Sequence, residues 1–233
     1  MGKPAFIHDE PAYTASEAAS MLGLPVTTLK AWCFGQGYQS SSGSRRTFQP
    51  VIRPADPAAR LLSFVNLCEL HVLSAIRREH RVPLSKVRDS VAWVSKRIGS
   101  DRPLIDHQFS TNGLDLFIEH ASRLINVSRQ GQEALRGDFE LALARIERDR
   151  SGTPVRLFPF SRDLKASVEQ PRAVLIDPRL SFGRPVLARV AVPTGVIRDR
   201  FNAGDSLAEM AQDYGVGEED IAEALRFEQR RAA

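Results

Sequence analysis

Two groups of polar side chains near the N-terminal end have the chemistry to bind a nucleic acid. The first group is Thr27, Thr28 and Lys30, and the second group is Arg45, Arg46 and Arg53. Hydroxyl and ammonium groups donate hydrogen bonds to base edges, whereas the forked guanidinium group binds phosphate oxygens. The order predicts a base-reading group followed by a phosphate-binding group. The surface of an ordinary helical hairpin would explain the first group equally well.

The first group needs a helix to present it, and the local sequence predicts a pair of helices. Thr14 or Ser16 can cap a first helix, which ends at Gly23. A second helix begins near Pro25. Its apolar face consists of Val26, Leu29, Trp32 and Cys33. This is a helix-turn-helix pattern, in which the N-terminal end of the second helix enters the major groove of DNA, and the first group lies at that end.

The second group lies in a basic segment that follows the helix pair. Residues 35–60 are rich in glycine and serine, and the stretch from Lys30 to Arg60 holds five basic residues against one acidic residue, Asp56. Beside a helix-turn-helix, such a segment is predicted to act as a wing whose arginines hold the phosphate backbone or enter the minor groove. A solvated linker is the alternative explanation of this composition.

The middle of the chain carries elements that would support these groups. Residues 61–98 show the apolar spacing of two amphipathic helices, the second capped by Ser85, which extends the pair to a four-helix module. Residues 104–127 change to a period of two around the turn signal Thr111-Asn112-Gly113, which predicts a small β-sheet. A short helix over 138–148 and a strand over 154–160 are expected next. We expect this central region to support dimerisation.

The last part of the chain follows a polar stretch, 161–172, which is predicted to be a linker. An apolar run over 174–177 leads to the turn Phe182-Gly183-Arg184-Pro185 and to a second extended run over 186–192. Three helical segments come after it.

The last two of these segments form another helix-turn-helix pattern. Ser206 and Glu209 have the spacing of a capping box, and Gly215 and Gly217 supply a tight turn. From residue 205 onward there are eight acidic against three basic residues, although the whole chain has a net charge of +4. Because a negative field repels phosphate, this pattern is predicted to contact a protein partner.

The candidate partner-binding residues are Glu218, Glu219, Asp220 and Glu223. A positively charged protein surface would complement them. The alternative is a solvated acidic face whose charges stabilise the N-terminal end of a helix.

The composition is ordinary for a globular protein, with 42% hydrophobic and 26% charged residues. Cys33 and Cys68 fall within apolar helical patterns, which predicts buried thiols in a reducing compartment. The chain has no apolar run of membrane-spanning length and no signal-peptide pattern, so we expect a cytoplasmic location.

Motifs of enzymes and metal sites are missing from the sequence. It contains no Gly-rich phosphate loop, no HExxH or GxSxG motif, and no CxxC or HxxxH pair. His107 and His120 have no nucleophile or ligand set nearby in sequence and are expected to be structural. We therefore predict no catalytic residue, no metal site and no cofactor, and interpret the chain as non-enzymatic.

Residues 13–99 resemble the MerR-type winged-helix DNA-binding domains. The likeness rests on YTASEAA at 13–19, LGLP at 22–25, LKAW at 29–32 and LSKV at 84–87. The chain does not continue into the long dimerisation helix of MerR regulators. Effector sensing is therefore not implied.

The C-terminal part resembles DUF family 433 in the order and spacing of several short segments. Among them are Ile176-Asp177-Pro178, Gly183-Arg184-Pro185-Val186 and the closing helix at 220–225. It departs from that family at Arg189-Val190-Ala191, where a Gly-Thr-Arg-like turn is usual. A MerR-like front joined to such a domain resembles the VapB-type antitoxins of bacterial toxin-antitoxin pairs.

The predicted fold is mainly α with a small β-region. The expected divisions are a winged helix-turn-helix domain over 1–103, a small α+β connecting or dimerisation region with a central sheet over 104–160, the linker over 161–172, and a three-helix domain over 173–233. The resemblance implies a homodimeric antitoxin that represses its own operon by binding operator DNA and neutralises a PIN-like ribonuclease toxin. The alternative is a stand-alone transcription regulator without a toxin partner.

Overall fold

The computed structural model describes residues 7–39, 45–80, 83–106, 113–125, 129–162 and 171–232. Its helices are α1 Ala15–Leu22, α2 Val26–Phe34, α3 Phe64–His80, α4 Leu84–Ile98, α5 Leu114–Ile125, α6 Arg129–Leu143, α7 Thr194–Ala203, α8 Leu207–Tyr214 and α9 Glu218–Ala232. Its strands are β1 Tyr13–Thr14, β2 Gln36–Gln39, β3 Arg45–Phe48, β4 Leu61–Leu62, β5 Ile146–Arg148, β6 Pro154–Leu157, β7 Val174–Leu175 and β8 Val186–Leu187.

The strands form small two-stranded antiparallel sheets, which pair β1 with β4, β2 with β3, β5 with β6, and β7 with β8. In the first sheet Tyr13 lies opposite Leu62, so the start of α1 is fastened to the start of α3. The prediction of a mainly helical fold with a small β-component is confirmed.

The main hydrophobic core joins the N-terminal helices to the central region. Trp32, Phe64, Phe117 and Phe139 are all fully buried in it, and Ile176 extends it past the predicted linker. Residues on both sides of position 103 contribute to this core. The division of the chain into domains therefore remains a proposal.

The strands predicted over 104–127 are wrong wherever this stretch is described. Pro103–Ile105 is a turn of 3₁₀ helix, and 114–125 is helix α5. The buried residues of α5 recur at helical spacing. They are Leu114, Phe117, Ile118 and Ala121. Residues 107–112 and 126–128, with most of the expected hairpin turn, lie outside the described residues.

Three other boundaries also differ from the sequence predictions. Helix α6 ends at Leu143 rather than at 148, because Ile146–Arg148 pairs with β6 as strand β5. Strand β6 itself confirms the strand predicted over 154–160, in its first four residues. Pro83 rather than Ser85 is the N-cap of α4.

The extended run expected over 186–192 is shorter in the structure. Strand β8 ends at Leu187, where the N–H of Ala191 donates to the carbonyl of Leu187 at 2.8 Å and closes a turn. Ala191 has a positive φ of 56°, which ends the extended backbone.

The C-terminal helices have a separate small core formed by α7, α8 and α9, which contains Ile197, Met210 and Ile221. The predicted capping box is confirmed. The Ser206 Oγ accepts a hydrogen bond from the Glu209 N–H at 3.2 Å, and the Glu209 carboxylate accepts one from the Ser206 N–H at 2.8 Å. Gly215 ends α8 in the left-handed conformation.

This C-terminal unit contacts the rest of the described chain at several places, two of which involve β6 and α1. Leu157 of β6 and Ile176 exchange backbone hydrogen bonds of 3.0 and 2.8 Å. At the second place α9 packs on α1, and the Arg231 Nε donates to the Ser20 Oγ at 3.1 Å. The first helix of the N-terminal helix-turn-helix is therefore in contact with the C-terminal unit.

The predicted linker is described only at its ends, since residues 163–170 lie outside the described ranges. At its start, Ser161 is buried and its hydroxyl donates to the Glu223 carboxylate at 2.6 Å. In the part of the chain that the structure describes, no helix is long and apolar enough to cross a membrane.

Candidate nucleic-acid interface

The turn between α1 and α2 sets the angle of the helix pair. Thr14 caps α1 through a full capping box with Glu17, as the sequence predicted for this end. Gly23 ends the helix with φ 59° and ψ 44°, a left-handed conformation that glycine adopts without strain. Pro25 then precedes the first residue of α2, with φ −59°. The sequence thus builds a sharp, fixed connection into α2.

Helix α2 has one buried face and one solvent face. Leu29, Trp32 and Cys33 are buried against the core. Thr27 and Lys30 are exposed on the other side, and Thr28 is partly buried. Hydroxyl and ammonium groups are therefore free to reach a ligand from the N-terminal half of α2, as a recognition helix requires.

The wing is the β2–β3 hairpin, which follows α2 directly. Its register places Gln36 opposite Phe48 and Tyr38 opposite Arg46. Gly35 makes the connection, with φ 74°, and a methyl group on it would lie 2.3 Å from the Phe48 carbonyl oxygen. Only glycine therefore permits the wing to fold this close to α2.

Arg45 and Arg46 occupy the first two positions of β3, at the outer end of the wing. Residues 40–44, between the two strands, lie outside the described residues. The structure places the backbone of both arginines on the wing. Their role in phosphate binding stays a prediction.

A groove of about 440 Å³ runs between α2, the base of the wing and the start of α4. Thr27 and Thr28 line it together with Gln36 and Ser85. The structure therefore brings the two threonines beside polar groups from two other elements. Sequence analysis did not assign Gln36 or Ser85 to the site. Pro83, which marks the start of α4, is the signal that could have indicated the position of Ser85.

Arg53 lies in a different groove, of about 390 Å³, which it shares with Arg60. Its side chain is exposed, and its carbonyl accepts a hydrogen bond from the buried Asn66 amide at 2.8 Å. Arg60 stacks over the Phe34 ring, 4.3 Å from its centroid. Two cations thus flank the C-terminal end of α2, and Arg60 was not among the predicted site residues.

A buried polar network fixes the loop that carries Arg53. Asn66 accepts hydrogen bonds from the Ala55 and Ser63 N–H groups at 2.9 and 3.1 Å, and donates to Glu69 at 2.8 Å. Arg102 also donates to Glu69 at 2.8 Å. Burial raises the pKa of Glu69 to about 7, against the opposing effect of Arg102.

The candidate partner-binding acids of the C-terminal unit do not share one surface. Glu218 and Glu219 are exposed in the first turn of α9. Asp220 is partly buried and lies 3.6 Å from Arg189. Glu223 is 1% exposed and is engaged by Ser161, Arg162 and Arg226. Its inclusion in a partner surface is corrected, since a partner could reach it only by displacing these groups.

Internal pairing also reduces the negative field predicted for this unit. Burial opposes ionisation of Glu223, but hydrogen bonds from Arg162 and Ser161 outweigh it and hold its pKa below the usual value. Glu228 is buried and bonded to Thr194, Arg198 and Arg231. Much of the net negative charge is thus neutralised by arginines from other segments.

The cysteines, and the histidine that the structure describes among the two singled out in the sequence, pack against other parts of the fold. Cys33 and Cys68 are free and buried, as predicted, and burial raises the pKa of both thiols. His120 stacks on Trp93 with ring centroids 4.6 Å apart, whereas His107 lies outside the described residues. Within the described ranges, no cluster of three or more His, Cys, Asp or Glu side chains could hold a metal ion.

Comparisons with known families agree with both ends of the fold. Residues 11–91 match the family described as "Putative DNA-binding HTH domain", and residues 174–227 match the family described as "Protein of unknown function (DUF433)". The chain therefore carries an N-terminal helix-turn-helix DNA-binding domain and a C-terminal DUF433 domain. The resemblances predicted for the two ends of the chain are therefore confirmed at the level of a helix-turn-helix domain and a DUF433 domain.

Two proteins of Mycobacterium tuberculosis are similar to this chain over most of its length. "Putative antitoxin VapB45" is 29% identical over 93% of this chain and 93% of its own length. "Uncharacterized protein Rv2308" is 23% identical over 94% of this chain and 90% of its own length. The crystal structure of Rv2018 is similar with a TM-score of 0.66 and 25% identity, covering 93% of this chain and 98% of that one.

Proposed function

We propose that this chain is an antitoxin that binds operator DNA as a dimer, represses its own operon and neutralises a PIN-like ribonuclease toxin by direct binding. The observation that carries the proposal is the similarity to a chain named as an antitoxin over 93% of both lengths. An alignment over that share of this chain takes in most of both matched regions, residues 11–91 and 174–227.

The DNA-binding part of the proposal assigns roles to the two ends of α2. Thr27, Thr28 and Lys30 read base edges from the exposed face. Arg53 binds the phosphate backbone beside the other end of the helix, and Arg45 and Arg46 do so from the wing. A regulator of this kind acts without catalysis.

The toxin-binding part assigns Glu218 and Glu219 to the contact with a basic surface of the toxin. One observation favours the alternative of a stand-alone transcription regulator. Glu223 and Glu228, which would strengthen an acidic surface, are instead buried in ion pairs within the chain. Neutralisation of a toxin therefore needs a direct test.

The test is co-expression of the chain with the ribonuclease encoded beside it, with bacterial growth and co-purification as readouts. The proposal predicts that the wild-type chain restores growth and co-purifies with the ribonuclease. Replacing Glu218 and Glu219 together by Gln should weaken both effects. Replacing Glu133 and Glu140, two exposed acids on α6, is the matched control and should change neither.

Two outcomes would contradict the toxin-binding part. One is a neighbouring gene product that the wild-type chain neither binds nor neutralises. The other is a pair of glutamate replacements on α9 that leaves co-purification unchanged. DNA binding that survives in either case would favour the stand-alone regulator.

A further inference from the structure

An aromatic side chain is held out in solvent by a strained turn between β7 and β8. Phe182 is 96% exposed. Ser181, Phe182 and Gly183 have consecutive positive φ angles of 46°, 56° and 73°. Non-glycine residues adopt this conformation at a cost in free energy, and such strain tends to persist at functional positions.

The turn is fixed from inside the fold. The Gly183 N–H donates to the Leu180 carbonyl at 2.8 Å, and the Arg184 N–H donates to the Ser181 carbonyl at 3.1 Å. The Tyr13 hydroxyl donates to the Gly183 carbonyl at 3.2 Å, so the turn is also tied to the helix-turn-helix domain. The backbone at Phe182 is therefore fixed, and its ring projects from the surface at this turn.

A groove lies directly beside this ring. It has a volume of about 550 Å³ and separates α1 from the start of α7. Met21, Pro185, Pro193 and Val196 supply its apolar lining. Phe182 lies on its edge and does not fill it, since the ring is almost wholly exposed.

The edges of the groove carry opposite charges. Arg184 is exposed in the same turn as Phe182 and has no ion-pair partner among the described residues. Glu17 of α1 and Asp199 of α7 are exposed and line the same groove, in which Asp199 also pairs with Arg198 at 2.8 Å. A surface that inserted a ring here and carried a nearby arginine would meet these carboxylates, next to two further arginines of the lining that already have ion-pair partners within the chain.

We infer that this surface is the interface with a second copy of the chain. A two-fold arrangement places Phe182 of each copy in the groove of the other and brings each Arg184 towards the carboxylates of its partner. A protruding group and its receptor on one surface are what a self-complementary interface requires.

This inference rests on the dimer in the proposed function and places its interface outside residues 104–160. Helix α2 would stay accessible, because Thr27, Thr28 and Lys30 do not line the groove. Both copies could then present α2 to DNA, as two-fold symmetric operators require.

The test is the dimer dissociation constant of the full-length chain, measured by sedimentation equilibrium. Phe182→Asn removes the ring and keeps a residue type that tolerates the left-handed conformation. It should raise the dissociation constant about a thousandfold, since two rings are lost per dimer and each aromatic anchor contributes about thirtyfold. Phe201→Ala, on α7 and 44% exposed but not in the groove, is the matched control and should leave the constant unchanged.

A charge reversal tests the orientation of the two copies. Arg184→Glu should weaken the dimer, and combining it with Asp199→Arg should restore it. Thermal unfolding at low concentration separates lost association from misfolding, because Phe182→Asn relieves strain and should not lower the melting temperature of the monomer.

The inference is overturned if the wild-type chain is monomeric, or if Phe182→Asn dimerises as tightly as wild type. A monomeric chain whose Phe182 becomes covered only by the ribonuclease would assign the surface to that partner instead. Binding of a single DNA half-site by the monomeric variants is measured in parallel. Its loss would count against the proposed DNA-binding function and not against this interface.

Discussion

Replacing Gly183 by Ala should disturb one contact between the C-terminal unit and the helix-turn-helix domain and lower the stability of the chain. Gly183 has a φ of 73°, and a methyl group on it would lie 2.0 Å from the Tyr13 hydroxyl oxygen and 3.0 Å from the ring carbon that bears it. Tyr13 is only 4% exposed and pairs with Leu62, so it has little room to move. The methyl group must therefore displace the turn or the tyrosine.

The expected loss of stability has two parts. An alanine in the left-handed conformation costs about 1 kcal/mol relative to glycine. Displacement of Tyr13 breaks its hydrogen bond to Gly183 and disturbs its packing, which adds about 2 kcal/mol. We therefore expect the free energy of unfolding to fall by about 3 kcal/mol in total.

Urea denaturation measures this loss, and Gly215→Ala supplies the matched control. Gly215 has a similar φ of 66°, but a methyl group on it would meet nothing within 4 Å. The control should therefore lose only about 1 kcal/mol. Tyr13→Phe should be less harmful in the Gly183→Ala background than alone, since it removes the clashing oxygen. Equal losses for the two glycine replacements would refute the close contact with Tyr13.

Two further predictions concern buried carboxylates. Glu223→Gln should lower the free energy of unfolding at pH 7 by about 2 kcal/mol, because it removes charge-assisted hydrogen bonds from arginines that remain partly exposed to solvent. Since the folded pKa of Glu223 is depressed, this contribution to stability is present above the unfolded pKa and is lost as the pH falls through the folded pKa. The difference in the free energy of unfolding between wild type and variant, measured by urea denaturation, should therefore be smaller at pH 3 than at pH 7. An unchanged difference at pH 3 would contradict the assignment. The pKa of Glu69 is raised to about 7 in the folded chain. Its contribution to the stability of the fold is therefore fully present below the unfolded pKa and is lost as the pH rises through the folded pKa. Wild type should therefore lose stability between about pH 4.5 and pH 7, and Glu69→Gln should flatten that dependence. A slope that persists in Glu69→Gln would place its origin elsewhere.

Local signals in the sequence predicted the ends of both helix-turn-helix patterns. The Ser206–Glu209 capping box joins residues three positions apart, and Gly23 and Gly215 end their helices through their own backbone conformation. Such features depend on neighbours in the chain, so they can be read without tertiary structure.

Helix α5 is an element whose type the local sequence pattern predicted wrongly. Leu114, Leu116 and Ile118 alternate with polar or aromatic residues and fit a strand, but the same stretch also fits a helix that buries Leu114, Phe117 and Ile118. Over so few residues the two periods cannot be separated. Packing in the core, where Phe117 meets Phe139 with ring centroids 5.1 Å apart, decides for the helix.

Ion pairs and hydrogen bonds between residues far apart in the chain could not be predicted from the sequence either. Glu223 looked like a surface acid because the arginine that neutralises it, Arg162, is 61 positions away. Tyr13 and Gly183 are 170 positions apart. The charge count of the C-terminal segment thus overestimated the negative surface that this segment presents.

The most direct test of the account is the salt dependence of DNA binding by the full-length chain. Affinity for the DNA upstream of its own gene is measured between 50 and 200 mM salt for wild type, Thr28→Ala and Arg53→Ala, with the exposed Arg150→Ala as control. If Arg53 binds a phosphate, its replacement should reduce the slope of log affinity against log salt by about 0.9 per contact and weaken binding to all sequences. Thr28→Ala should keep the slope and change the sequence preference. Wild-type slopes and preferences in both variants would contradict a DNA-reading role for α2 and its flanking arginine.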